Sequence, residues 1–149
     1  MTNARIGSVA VALLIASASS APAQPSGAGT VKLVSGSVFI VRDGGVVPAT
    51  LGQAVFETDA LRTGSDGKVG VTLKDDTRVS LGPNSEVRLQ RFVYTPAEGS
   101  LGLVLQFVRG AAAYVSGRIA KLAPDSIRLE TPAAIVGVRG TTLAIRVDQ

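Results

Sequence analysis

Asp75-Asp76 is the one adjacent pair of carboxylates in the chain. Paired carboxylates can hold calcium or act as acid and base in glycoside hydrolysis, but neither works alone. A calcium loop needs further oxygen ligands at fixed intervals and a closing glutamate. A glycosidase pair must flank a sugar at a set separation. Nothing around Asp75-Asp76 supplies either pattern, so the pair reads as a polar hairpin turn. Asp59 and Thr63 frame a tight connection, where a carboxylate and a hydroxyl satisfy backbone amides at strand ends; ligand contact is the competing reading. Arg139-Gly140-Thr141 is the most distinctive cluster. Gly140 suits a bulge or a close backbone approach. Arg139 can grip a carboxylate or carbonyls in its own fold, which is the preferred reading, or an acidic group on a partner or glycan. At Thr131-Pro132 the proline removes a ladder donor, which places the pair at the start or edge of a strand. If that edge is open, a partner strand can add there.

The chain has 149 residues and contains no histidine, cysteine or tryptophan. Ser-His-Asp and Cys-His machinery are therefore excluded. So are ordinary zinc, haem, iron–sulfur and blue-copper sites, and any disulfide. No catalysis, metal or cofactor is expected. The pI is about 10.0 and the formal charge +4. The arginines are scattered, and four Phe and two Tyr are too few for a base-stacking platform. Nucleic acid is not an expected partner; a mild attraction to anionic envelope glycans or lipid headgroups is.

These residues must be positioned by sheet. Met1 to Ala23 reads as a secretory signal peptide: Arg5, then an apolar run, then Ala21-Pro22-Ala23, with cleavage between Ala23 and Gln24. The run is too short and too broken by serine for a membrane anchor, and no later segment is long enough to span. A lipoprotein would need a cysteine. Residues 24–30 read as a disordered leader and 31–149 as one exported β domain. From Val31 the apolar period is two: Val69, Val71 and Leu73 share a face, as do Val79 and Leu81, then Val87 and Leu89. The phase slips at Arg91, where Phe92 and Tyr94 take the inward face, which predicts a β-bulge. Leu101, Leu103, Leu105 and Phe107 continue the pattern, and Leu143, Ile145 and Val147 close it. Turn signals recur about every ten residues, the rhythm of sandwiches, barrels and short-runged solenoids. Gly117 to Ala123 is the only helical candidate. Val38-Phe39-Ile40-Val41 is apolar on both faces and predicts burial on both sides.

The stretch from Gly52 to Leu81, with Asp59 before an apolar residue and the turn Thr63-Gly64, resembles the FecR domain family. So does Thr131-Pro132-Ala133-Ala134 followed by Val138-Arg139-Gly140-Thr141. Gly36-Ser37-Val38 and Arg109-Gly110-Ala111 match two strand openings of that family. Thr77 stands where its hairpin usually has glycine, and Leu143 where an aromatic is common. The resemblance implies an all-β, two-sheet sandwich or solenoid-like fold with almost no helix, and a periplasmic location. Founding members add an anti-sigma segment and a membrane helix; neither is found in these residues, so a direct transmembrane relay is not expected. The expected function is a non-catalytic interaction module of the envelope, with signalling as its setting. The alternative is a module that binds peptidoglycan or polysaccharide. A glycan binder should show exposed aromatics or an amide-lined groove. The signature residues Asp59, Thr63, Gly64, Thr131, Pro132, Arg139, Gly140 and Thr141 are read as structural. The partner, an envelope protein or a glycan, and the oligomeric state are not named by the sequence.

Overall fold

A computed structural model describes residues 19–21, 27–138 and 142–148. The expected cleavage pair Ala23-Gln24 and the cluster Arg139-Gly140-Thr141 lie outside the described residues. The strands are β1 (Gly29–Ser35), β2 (Val38–Arg42), β3 (Gly45–Pro48), β4 (Ala54–Val55), β5 (Ala60–Thr63), β6 (Lys68–Leu73), β7 (Arg78–Leu81), β8 (Glu86–Thr95), β9 (Ser100–Val115), β10 (Ile127–Glu130), β11 (Ile135–Val136) and β12 (Thr142–Val147). Among the described residues one short α-helix, α1 (Arg118–Leu122), falls inside the segment expected to carry it.

The twelve strands form one continuous sheet that curls over its own core. One half runs β3-β2-β5-β8-β9 and is extended by β10 and β11; the other runs β9-β7-β6-β1-β4 and is extended by β12. The long strand β9 belongs to both. Its first part pairs antiparallel with β8 and parallel with β10; its last part pairs with β7 and β12. Alternating residues of both halves fill the space between them, among them Ile40, Val69, Leu103, Phe107, Leu129 and Tyr114. This is the period-two pattern realised, and the fold is all-β. The ladder between β8 and β9 slips between Leu89 and Arg91, at the predicted bulge, and Phe92 and Tyr94 then pack against the core.

Two details differ from expectation. β1 starts at Gly29, and the buried Ala28 donates its N–H to the Val55 carbonyl at 2.7 Å, so the end of the expected leader is part of the sheet. In β2 only Val38 and Ile40 are buried; Phe39 and Val41 are half-buried on the outer face. Apolar residues on both faces do not require a covering layer, since much of any protein surface is apolar.

The passage from one half to the other is made at four corners: Gly36-Ser37, Gly64 to Gly67, Gly82 to Ser85, and the bend in β9 at Gly110. The halves share a matching strand order, so the corners stack as neighbours. Hydrogen bonds run the length of the stack. Gly64 N–H donates to Ser37 O (2.9 Å), Asn84 N–H to Gly64 O (3.0 Å) and Gly82 N–H to Ala111 O (3.0 Å). Gly36 and Gly110 have φ of 65° and 82°. A Cβ at Gly36 would overlap the Asp66 carbonyl, and one at Gly110 would overlap Ser85. Only glycine meets both demands.

The hairpin between β6 and β7 carries its left-handed residue at Asp76, φ 69°, not at Thr77. Thr77 is fully buried. The residue that a glycine would relieve is therefore Asp76. Asp76→Gly is expected to raise the melting temperature by roughly 2–4 °C, because the strain outweighs the exposed ion pair lost with Arg118. Asp76→Val should lower it. Thermal unfolding followed by circular dichroism checks both; equal effects of the two would contradict the strain argument.

Candidate functional site

Asp59 sits in the loop between β4 and β5 and is 1% exposed. Arg42 of β2 grips it with both ends: Nε donates to Oδ1 at 2.8 Å and one terminal nitrogen donates to Oδ2 at 2.6 Å. The Phe56 N–H also donates to Oδ2, at 2.9 Å. The Arg42 guanidinium lies over the Phe56 ring, 4.6 Å from its centroid. Hydrogen bonding to Asp59 holds the Arg42 pKa above its ordinary value against the opposing pull of partial burial. Arg42→Ala leaves this carboxylate in the core without its cation. The expected cost is about 2–4 kcal/mol, below the range for a fully buried pair because Arg42 is partly solvated. Urea unfolding checks it, and adding Asp59→Ala should recover part of the loss. A cost under about 1 kcal/mol would mean that water replaces Arg42.

Thr63 and Gly64 belong to the stack of corners. The Thr63 hydroxyl donates to the Gly82 carbonyl at 2.6 Å and accepts the Ser85 N–H at 2.9 Å. Ser37 N–H donates to the Asp66 carboxylate at 3.2 Å, and this bond holds the Asp66 pKa below its ordinary value.

Asp75 and Asp76 diverge. Asp75 is fully buried and accepts from Thr77 N–H (3.1 Å), the Thr77 hydroxyl (2.7 Å) and Ile119 N–H (3.3 Å). Asp76 points outward to Arg118 at 3.1 Å. The two carboxylates do not share a site, and the described residues hold no cluster of metal-ligating side chains. Burial pushes the nearby Tyr114 phenol above its ordinary pKa.

Thr131 and Pro132 are not at a strand start. They form the turn between β10 and β11, closed by Thr131 N–H to Ala134 O at 2.8 Å and by Ala134 N–H to the Thr131 hydroxyl at 3.1 Å. Proline suits the second position of such a turn, where its fixed φ is an asset. The open edge lies just beyond, on β11. It pairs with β10 on one side and with no described strand on the other. Its two side chains are exposed, Ile135 at 67% and Val136 at 40%. They border a groove of about 450 Å³ whose other walls include Arg91, Val104, Asp125 and Arg128.

Sequence reasoning missed the outer face of the β5-β8-β9-β10 layer. Register places Phe39, Arg62, Glu86 and Arg109 in one row. Arg88, Gln106 and Glu130 form the next, and Arg91, Val104 and Arg128 the third. The signal was present in the polar positions of each alternating strand, but it is visible only once the strand order is known. The Phe and Tyr side chains are buried or half-buried, so no exposed aromatic platform is present among the described residues. An amide pair is: Gln90 donates to Gln106 at 2.9 Å on this face. The void beside Asp59 in the core is about 20 Å³, room for a single water and no organic ligand. Among the described residues no helix is long and apolar enough to cross a membrane.

A protein-family model described as FecR protein matches residues 59–149, more than half of the chain. The match starts at the buried Asp59 and includes the corners from Thr63 to Gly110. No curated protein matches the chain, and no solved structure does.

Proposed function

The chain belongs to the FecR protein family, and from that premise we propose that it is a non-catalytic interaction module of the cell envelope, exported to the periplasm after cleavage at Ala23-Gln24. The module works in signalling and docks a partner protein. The observation that carries this reading is the open β11 edge with Ile135 and Val136 exposed beside it. A free strand edge is a template for an added strand, and flanking apolar side chains give the addition its selectivity. The turn and corner residues then serve as scaffold. Placing Asp59, Thr63 and Asp75 on backbone and side-chain partners of their own fold leaves them no free chemistry for a substrate.

The test is in-cell crosslinking of the tagged, exported chain with a photoreactive residue at Ile135, and at Thr50 as a distant control. Capture of an outer-membrane receptor or an inner-membrane regulator from Ile135 alone, abolished by Val136→Pro, supports the reading. Capture of peptidoglycan fragments with no specific protein overturns it. N-terminal sequencing of the periplasmic fraction should begin at Gln24; an intact Met1 in the membrane fraction would overturn export by a cleaved signal.

A further inference from the structure

The outer face of the β5-β8-β9-β10 layer carries five arginines, Arg62, Arg88, Arg91, Arg109 and Arg128, against two carboxylates, Glu86 and Glu130. The carboxylates are already engaged. Glu86 lies 3.3 Å from Arg62 and 4.0 Å from Arg109, and Glu130 lies 3.6 Å from Arg128. Arg88 and Arg91 have no carboxylate partner among the described residues. Both are exposed. They are held on a rigid ladder rather than on a loop. Arg91 sits just past the bulge, and its guanidinium lies across the backbone of Gly102, with Nε 3.4 Å from where a Cβ would be. Between the arginines lies the Gln90–Gln106 amide pair, and beyond Arg91 the face deepens into the groove of about 450 Å³ that also holds Arg128 and Asp125.

We propose that this face binds a linear, carboxylate-bearing polysaccharide, with Arg88 and Arg91 as its anionic anchors. The chemistry selects this occupant on three counts. A planar guanidinium matches a carboxylate in bidentate fashion. Amides beside it match sugar hydroxyls, which a bare anion does not have. Arg88 and Arg91 stand on the surface of the internal strand β8, not on a strand edge, so an extended acidic peptide, which gains its affinity by edge pairing, is a poorer partner for them. An anionic bilayer is poorer still, since binding there relies on large exposed apolar side chains interleaved with the charges; Ile135 and Val136 are exposed at the far border of the groove, but between Arg88 and Arg91 lies the Gln90–Gln106 amide pair. Rows two residues apart along a strand are separated by about 7 Å, so the anchors address successive units of a polymer rather than one small molecule. The face adjoins the β11 edge across the groove that Arg91, Ile135 and Val136 all border, but its anchors, Arg88 and Arg91, are different residues from those that carry the edge reading, so variants separate the two.

The experiment measures binding of the full exported chain to alginate, a polyuronate, by calorimetry, with neutral dextran, poly-L-glutamate and anionic phospholipid vesicles as comparison probes. Arg88→Gln/Arg91→Gln is expected to weaken alginate binding about tenfold or more, as the loss of one or two charge-assisted contacts. Lys32→Gln/Lys68→Gln removes the same charge from the other half of the sheet and is expected to change it less than about twofold. Both variants are exposed changes, and their circular dichroism should match the parent. Binding of dextran as tight as alginate, or an equal loss in the lysine variant, overturns the anchor role. Poly-L-glutamate bound as tightly as alginate assigns the face to an acidic peptide, and binding to vesicles alone assigns it to lipid; both overturn the proposal, as does no binding to any probe.

Discussion

Gly36→Ala and Gly110→Ala each remove about 3–5 kcal/mol of stability, enough to leave a marginal domain largely unfolded at physiological temperature. Part of this, about 1–2 kcal/mol, is the cost of placing a Cβ on a left-handed backbone. The larger part comes from what the Cβ would meet. At Gly36 it is the Asp66 carbonyl; at Gly110 it is the side chain and backbone of Ser85. Each corner is bonded to the next, so moving one strips hydrogen bonds from its neighbour, at about 1 kcal/mol apiece. Gly44→Ala supplies the comparison. Its φ is 77°, yet nothing lies within 4 Å of the added carbon. It should cost about 1–2 kcal/mol, the backbone share alone. Urea midpoints of the three variants decide the matter. If all three fall together, the stacking of corners contributes nothing beyond local strain.

Asp75→Ala is the second large effect, at about 3–5 kcal/mol. The carboxylate is the shared acceptor for Thr77 N–H, the Thr77 hydroxyl and Ile119 N–H, all in the interior. Removing it leaves three buried donors without a partner. The damage is not confined to the hairpin, because Ile119 is fully buried and belongs to α1. The backbone also ties the two, with Arg118 N–H donating to Asp75 O at 2.7 Å. Hydrogen exchange should therefore show the Ile119 amide losing protection before the strands do. Asp75→Asn keeps one acceptor oxygen and the shape, and should cost clearly less than alanine. An alanine variant with the Ile119 amide still protected would show that the helix is held by packing alone.

Much of this architecture was legible in residue order. The bulge after Leu89 could be read because Phe92 and Tyr94 change phase with the run before them, and one extra residue is the only local way to do that. Of the corners, Thr63-Gly64 was legible as a turn, since tight turns restrict residue type; Gly36-Ser37-Val38 and Arg109-Gly110-Ala111 are expected as strand openings, and Gly110 instead bends the continuous strand β9. What could not be read depends on partners far apart in sequence. Arg42 finds Asp59, and Asp75 finds Ile119, only after strand order is set. The parallel pairing of β10 with β9 has no local signal either. At Thr131-Pro132 a local rule was misjudged: a missing ladder donor fits a turn as well as a strand start, and the threonine hydroxyl closing on Ala134 favours the turn. The arginine-bearing face escaped notice because alternation was read for its inward half. Whether the polar half is an assembled surface depends on which strands become neighbours.

The position of β9 late in the chain has a consequence for the order of events during synthesis. Strands β7 and β8 both pair with it, from opposite halves. Before residues 100–115 leave the ribosome, each of those strands presents a bare edge, the kind of surface on which chains aggregate. An early fragment thus carries two adhesive margins, and the missing segment protects both at once. Folding of the two halves is consequently expected as a single late event, slow for its size because its decisive contacts join distant parts of the chain, and fragments that end before residue 100 should aggregate where the full chain does not.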